Sequence, residues 1–179
     1  MVSLPDLVPV LDTPRLVLRG HRVGDFEAMV GIWTDPIVQK HFHGAQLTRE
    51  EIWSKLLKQF GCWVALGYGM WAVEEKASGE YVGAVGVFEV MRELDPALAG
   101  VPEAGWSLAS RVHGRGYATE AMQAVLTWVD VRLRCKRVFC IVSPANTSSI
   151  RVAEKCGFKP FGETIYKDEA TLIFVRETS

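Results

Sequence analysis

The stretch Trp106-Ser-Leu-Ala-Ser-Arg-Val-His-Gly-Arg-Gly-Tyr-Ala-Thr-Glu-Ala121 reads as the end of a strand, a turn with two glycines and the start of a long helix. Gly114 and Gly116 carry no Cβ, so the backbone is free to turn sharply and to approach a ligand closely. The helix leaves its first N–H groups without intrahelical partners, and its dipole favours an anion at that end. Arg111 and Arg115 flank the turn and offer charge-assisted bonds to phosphate oxygens. The stretch predicts a pyrophosphate cradle. It is not a Walker A loop, because no Gly-Lys-Ser/Thr follows at the required spacing. Glycine spacing alone also admits a dinucleotide fingerprint. That fingerprint opens the first βαβ unit of its fold, whereas this turn lies past the middle of the chain and has Thr119 at the third glycine position.

Around this stretch the chain has the composition of one globular domain. At 179 residues it is long enough to bury roughly 70% of its unfolded surface. Twenty basic against twenty-one acidic side chains leave a net charge of −1, so no global attraction to nucleic acid or membrane is expected and any anion site is local. No long apolar run and no signal-peptide pattern is evident, and a soluble, cytoplasmic protein is expected. Cys62, Cys135, Cys140 and Cys156 form no C-x-x-C pair and are expected as reduced core residues. His41-x-His43 has no Cys, Asp or Glu ligands nearby, so no metal is expected.

Residues 1–14 contain Pro5, Pro9 and Pro14 and read as an irregular lead-in. Thr13 to Arg19 alternates as a half-buried strand. Asp25–Thr34 is spaced for a helix that Asp35-Pro36 closes, and a short helical piece from Ile37 to His41 follows. Thr48-Arg-Glu-Glu51 is a capping box ahead of the next helix. Residues 70–75 and 81–88 read as strands around the turn Ala77-Ser-Gly-Glu80, with Gly83 and Gly86 marking close backbone approach or a bulge. Residues 92–102 read as a mobile loop, and 103–109 as the strand that leads into the cradle. A helix over Tyr117–Leu133, a buried strand over 138–142, a helix over Thr147–Lys155 and two closing strands near 161–166 and 170–176 complete the chain. The predicted order is β-α-α-β-β-β-α-β-α-β-β, an α+β fold with a mixed central sheet flanked by helices.

Two motifs carry a resemblance. Arg111-x-x-Gly114-x-Gly116 followed by Tyr-Ala-Thr-Glu-Ala resembles the acetyl-coenzyme A loop of the GNAT N-acetyltransferases. Asn146-x-x-Ser149-x-x-x-x-Glu-Lys155-x-Gly157-Phe158, with Thr13-x-Arg15-Leu-x-Leu-Arg19 at the start, is similar to the branch that includes the RimJ and RimL ribosomal-protein acetyltransferases. The element order matches that fold over essentially the whole chain.

The resemblance implies an N-acetyltransferase that moves the acetyl group of acetyl-coenzyme A to a primary amine, a protein N-terminal α-amine or a small-molecule amine, by direct attack in a ternary complex. It implies that Leu108 and Ala109 pair with the pantetheine arm. Val112, His113, Gly114, Arg115, Gly116, Tyr117, Ala118 and Thr119, with Arg111, would bind the pyrophosphate. Asn146 and Ser149 would serve both cofactor and catalysis, although Asn146 equally suits a helix N-cap and Ser149 a first-turn residue without chemistry. The tyrosine that many of these enzymes carry on the last helix is replaced by Ala153, leaving Ser149 as the candidate acid.

Glu103, or Glu89 at the preceding strand end, is a candidate base acting through water, and an exposed strand-end glutamate is the plain alternative for each. Trp33, His41, Phe42, Trp63 and Tyr166 are candidate acceptor-pocket residues, with His41 also a candidate base, while most aromatics at helical spacing are simply core. A non-catalytic coenzyme A-binding sensor is the alternative function. A homodimer through an outer strand stays open.

Overall fold

The computed structural model describes residues 7–40, 46–92 and 94–178. His41 and Phe42 lie outside them. Among the described residues the strands are β1 (Leu11–Asp12), β2 (Leu16–Arg19), β3 (Met70–Glu75), β4 (Tyr81–Phe88), β5 (Glu103–Leu108), β6 (Arg137–Val142), β7 (Lys159–Tyr166) and β8 (Glu169–Glu177). The helices are α1 (Phe26–Trp33), α2 (Pro36–Gln39), α3 (Arg49–Leu66), α4 (Tyr117–Arg132) and α5 (Thr147–Lys155). No helix among the described residues is long and apolar enough to cross a membrane.

The expected order is present with two additions, the strand β1 and the short helical piece after α1, which forms a helix of its own, α2. Leu11 and Asp12, inside the expected irregular lead-in, pair with Leu18 and Val17 of β2. Pro36 does close α1, but it also starts α2 at its first position, where the missing N–H costs nothing and Asp35 caps Ile37. The Thr48 capping box forms, with Glu51 N–H donating to Thr48 Oγ1 at 3.2 Å and Thr48 N–H donating to Glu51 Oε2 at 2.7 Å. Segment 92–102 is not wholly irregular. Pro96–Leu98 forms a 3₁₀ turn, and Leu98 packs with Phe139, Ile173 and Val175.

The sheet order is β1-β2-β3-β4-β5-β6-β8-β7. Every neighbouring pair is antiparallel except β5 and β6, which run parallel and share a single register pair, Glu103 with Phe139. On its other side β5 is matched to β4 along its whole length, from Gly83–Leu108 to Phe88–Glu103. The sheet is thus continuous up to β5 and then parts. Past the Glu103–Phe139 pair the facing edges of β5 and β6 are unpaired, and a wedge opens toward their C-terminal ends.

Ala104 and Leu108 of β5 are buried in the main core cluster. The stripe Ala121, Met122, Val125, Leu126 and Val129 of α4 is buried in one cluster with Leu16, Leu18, Val73 and Val85. Trp71, fully buried, meets Trp63 and Trp128 edge to face at centroid distances of 4.6 and 5.1 Å. Trp63, a candidate pocket residue, is therefore core. Met29 of α1 with Ile52 and Leu56 of α3 forms a separate cluster. Cys62, Cys140 and Cys156 are buried free thiols, and Cys135 is a free thiol that is half-buried.

The Thr13–Arg19 segment gains its charged and polar residues a purpose. Thr13 Oγ1 and Arg15 Nε donate to Glu120 of α4 at 2.7 Å each. Arg19, buried, makes a bidentate pair with Asp25 at 2.9 and 2.8 Å. His21, 3% exposed beside this pair, has neither ring nitrogen hydrogen-bonded among the described residues.

Two predictions follow from this packing. A Cβ on Gly83, whose φ is +140°, would lie 2.2 Å from the Ser107 carbonyl oxygen and 2.7 Å from Leu108 Cα. Gly83→Ala is expected to lower stability by about 3 kcal/mol in urea unfolding, the sum of backbone strain and overpacking. Burial holds the His21 imidazole down at a pKa of about 4. As pH falls below about 6.5 the unfolded chain takes up this proton first, so stability present at pH 7 is lost progressively toward pH 4, by about 3 kcal/mol. The corresponding slope of stability against pH is expected to vanish in His21→Leu.

Candidate active site

Two cavities meet where β5 and β6 part. The first, about 450 Å³, is lined by Trp33, α3 residues Lys55, Lys58 and Gln59, and Phe88, Arg92, Glu103, Tyr166 and Lys167. The second, about 350 Å³, is lined by Leu108, Val112, His113, Gly114, Gly116, Tyr117, Ala118 and Thr119 together with Arg151, Val152 and Lys155 of α5. Trp106, Ser107, Asn146 and Ser149 belong to both walls. Anything bound in one cavity can thus reach a ligand in the other at these four residues.

The glycine turn borders the second cavity. Gly114 and Gly116 adopt φ of +74° and +80°, left-handed conformations that glycine takes without penalty. Gly116 is the N-cap of α4 and makes no side-chain cap bond, so the N–H groups of the first turn remain available. A Cβ on Gly114 would meet nothing within 4 Å, so the backbone there is open to a ligand. His113 Nε2–H donates to the Leu108 carbonyl at 2.9 Å and ties the loop to the end of β5.

Tyr117 is clamped. Its hydroxyl donates to Glu75 Oε1 at 2.6 Å, and the guanidinium groups of Arg15 and Arg115 lie over its ring at 4.6 and 4.5 Å. These contacts fix the N-terminus of α4 and hence the direction of its dipole.

Three residues expected at the cofactor do not line this cavity. Arg111 pairs with Glu80 at 2.6 Å and Arg115 with Glu75 at 2.8 Å, on the side of the turn that meets β3 and β4. Ala109 has both backbone groups engaged, its N–H donating to Val82 at 2.9 Å and its carbonyl accepting from Val112 at 3.0 Å. The cations that do reach the cavity are Arg151, which carries no site expectation from the sequence, and Lys155, which enters there only as part of the Asn146–Phe158 motif. Neither has a carboxylate partner among the described residues. The signal was present as a basic i, i+4 pair on α5, one face of the helix that follows Asn146.

At the shared wall Asn146 is buried and caps α5. Its Oδ1 accepts from Ser149 N–H at 3.0 Å and Ser148 Oγ–H at 2.8 Å. Cap and lining residue are compatible roles. Ser149 Oγ accepts from Trp106 Nε1–H at 3.1 Å. Because an indole N–H only donates, the Ser149 proton is left to point elsewhere. Ala153 is fully buried and lines neither cavity.

In the first cavity Glu103, 4% exposed, receives Arg92 Nε at 2.6 Å, and Arg92 also donates to the Tyr166 hydroxyl and lies over its ring. Burial pushes the Glu103 carboxyl above the ordinary carboxylate range, with Arg92 opposing the shift. Trp33 and Tyr166 line this cavity. Glu89 is not on this wall. It accepts from the Tyr68 hydroxyl at 3.3 Å, and burial, with the Glu89 charge adding, pushes that phenol up to about 12.

Comparison with known proteins matches this geometry to a family. Residues 15–159 match the model of the acetyltransferase (GNAT) domain. YkkB of Bacillus subtilis strain 168, itself uncharacterized, is 31% identical over 164 residues, 88% of each chain. An acetyltransferase from Agrobacterium tumefaciens strain C58 superposes with a TM-score of 0.80 at 27% identity, covering 98% of this chain and 95% of that one. The fold is also that of RimL, a ribosomal L7/L12 alpha-N-protein acetyltransferase solved in complex with coenzyme A, with a TM-score of 0.76 at 17% identity over 94% of this chain and 98% of that one. The chain belongs to the GNAT acetyltransferase family and is an N-acetyltransferase whose cosubstrate is acetyl-coenzyme A.

Proposed function

We propose that the enzyme acetylates a primary amine by direct attack in a ternary complex, with acetyl-coenzyme A along the second cavity and the amine in the first. The observation that carries this reading is the wall common to both cavities, Trp106, Ser107, Asn146 and Ser149. A module that only senses coenzyme A has no use for a second cavity that opens onto the same wall. The acceptor on this reading is a protein N-terminus or a small amine.

The glycine turn and the first turn of α4 hold the pyrophosphate, with Arg151 and Lys155 as the cations beside it. The unpaired inner edge of β5 offers backbone groups to the pantetheine arm, as an added strand would use them. The amine nitrogen attacks the thioester carbonyl carbon, the C–S bond breaks, and an amide and a free thiol result. Overall the amine gives up one proton and the thiolate gains one.

Glu103 accepts the amine proton through water. Its raised pKa brings it nearer to the pH at which it works, which a general base requires. The Ser149 hydroxyl, held by the Trp106 indole with its proton free, returns a proton to the sulfur. No thiol in the chain is activated for a covalent acetyl-enzyme. Burial raises Cys62 and Cys140, and it lifts Cys156 to about 11.

Calorimetric titration with acetyl-coenzyme A is expected to show binding that NAD does not reproduce. Gly114→Val, which places a branched side chain in the cradle, is expected to weaken that binding at least about tenfold while costing only about 1–2 kcal/mol of stability. Unchanged affinity in a folded variant would remove the loop from the cofactor site. With a reactive amine and thiol release as the readout, Glu103→Gln is expected to lower kcat about 100-fold with little change in the KM for acetyl-coenzyme A. A kcat within twofold of the parent would exclude Glu103 as the base.

A further inference from the structure

The first cavity has an uneven charge. Lys55 and Lys58 enter it from α3, Arg92 from the segment after β4, and Lys167 from the turn between β7 and β8. Against these four cations the described lining holds one carboxylate, Glu103, and Arg92 already occupies it. Three separate elements therefore bring like charges to one concave wall. Such a gathering costs free energy in the empty protein and is offset when a ligand supplies the opposite sign.

Lys55 and Arg92 are held in place by neighbouring groups. Lys55 Nζ lies 4.7 Å from the centre of the Trp33 ring, and Arg92 is fixed by Glu103 and Tyr166. Lys167 sits in the two-residue turn of the hairpin with φ of +51°, beside Asp168 at +64°, the left-handed pair that tight hairpins favour. Burial lowers the Lys55 ammonium, with repulsion from Lys58, Lys167 and Arg92 adding to the shift and the Glu51 carboxylate opposing it.

From this, and resting on the ternary-complex reading above, we infer that the acceptor is a primary amine carrying a carboxylate close to its nitrogen, bound through the cations of this cavity while the amine reaches the shared wall. A polycationic amine is disfavoured by the same wall. A free acidic amino acid and the N-terminus of an acidic peptide present the same chemistry.

The test uses four amine probes. They are free glutamate, a tetrapeptide amide with two glutamates behind its first residue, the same peptide with glutamines instead, and 1,5-diaminopentane. Each is measured for calorimetric binding to the coenzyme A-loaded protein and for thiol release with acetyl-coenzyme A. Free glutamate or the glutamate peptide is expected to be preferred about tenfold or more over the glutamine peptide and the diamine, with the preference shrinking as salt is raised. Which of the two acidic probes leads separates a small-molecule acceptor from a protein one.

The double variant Lys58→Gln, Lys167→Asn, which keeps a residue tolerant of positive φ in the turn, is expected to lose the preference at unchanged acetyl-coenzyme A affinity. Equal or better binding of the glutamine peptide or the diamine, or no binding of either acidic probe, overturns the inference. Thiol release with the diamine alone would overturn it while leaving the acetyltransferase mechanism standing. Carboxylate-selective binding with no thiol release from any probe would support it and count against the proposed turnover.

Discussion

The single parallel pair between Glu103 and Phe139 is the constraint on which the rest depends. Parallel strands that stayed paired would close the sheet and leave no wedge for the two cavities to share. Instead β5 is committed along its whole length to β4, and β6 to β8, so each strand follows its own half of the sheet. The wedge between them exposes unpaired backbone in the middle of the protein, which buried backbone ordinarily avoids.

The second requirement is a helix N-terminus held in a fixed direction beside the wedge. Thr13, Arg15, Glu75 and Arg115 all contribute to this, although none of them lines the cavity. Tyr117 is the anchor, buried between two guanidinium groups and bonded to Glu75. The arginines nearest the turn in sequence thus pair with Glu80 and Glu75, while Arg151 and Lys155, from a helix thirty-odd residues on, line the second cavity.

The two ends of the site differ in kind as a result. The second cavity is bordered by the glycine turn and the N-terminus of α4. The first is lined by long side chains on α3, the segment after β4 and the last hairpin. Substitutions in the first cavity can change its chemistry without disturbing the glycine turn, in keeping with the general observation that one fold supports many substrates.

Local signals in the sequence determined most of the architecture. The glycine turn, the α4 stripe, the Thr48 capping box and the Asn146 cap depend on residues within one or two turns of each other, so spacing alone reveals them. The placement of Gly114, Gly116, Asn146 and Ser149 on one wall follows from two motifs that each fold locally and are joined by one helix and one strand. Only the tertiary structure decided which charges are free. Whether Arg111 pairs with Glu80, whether Glu89 or Glu103 borders the first cavity, and whether Lys55, Lys58, Arg92 and Lys167 converge all depend on partners far away in the chain. An ion pair is set by distance in space, and side-chain charge carries no periodicity from which that distance can be read.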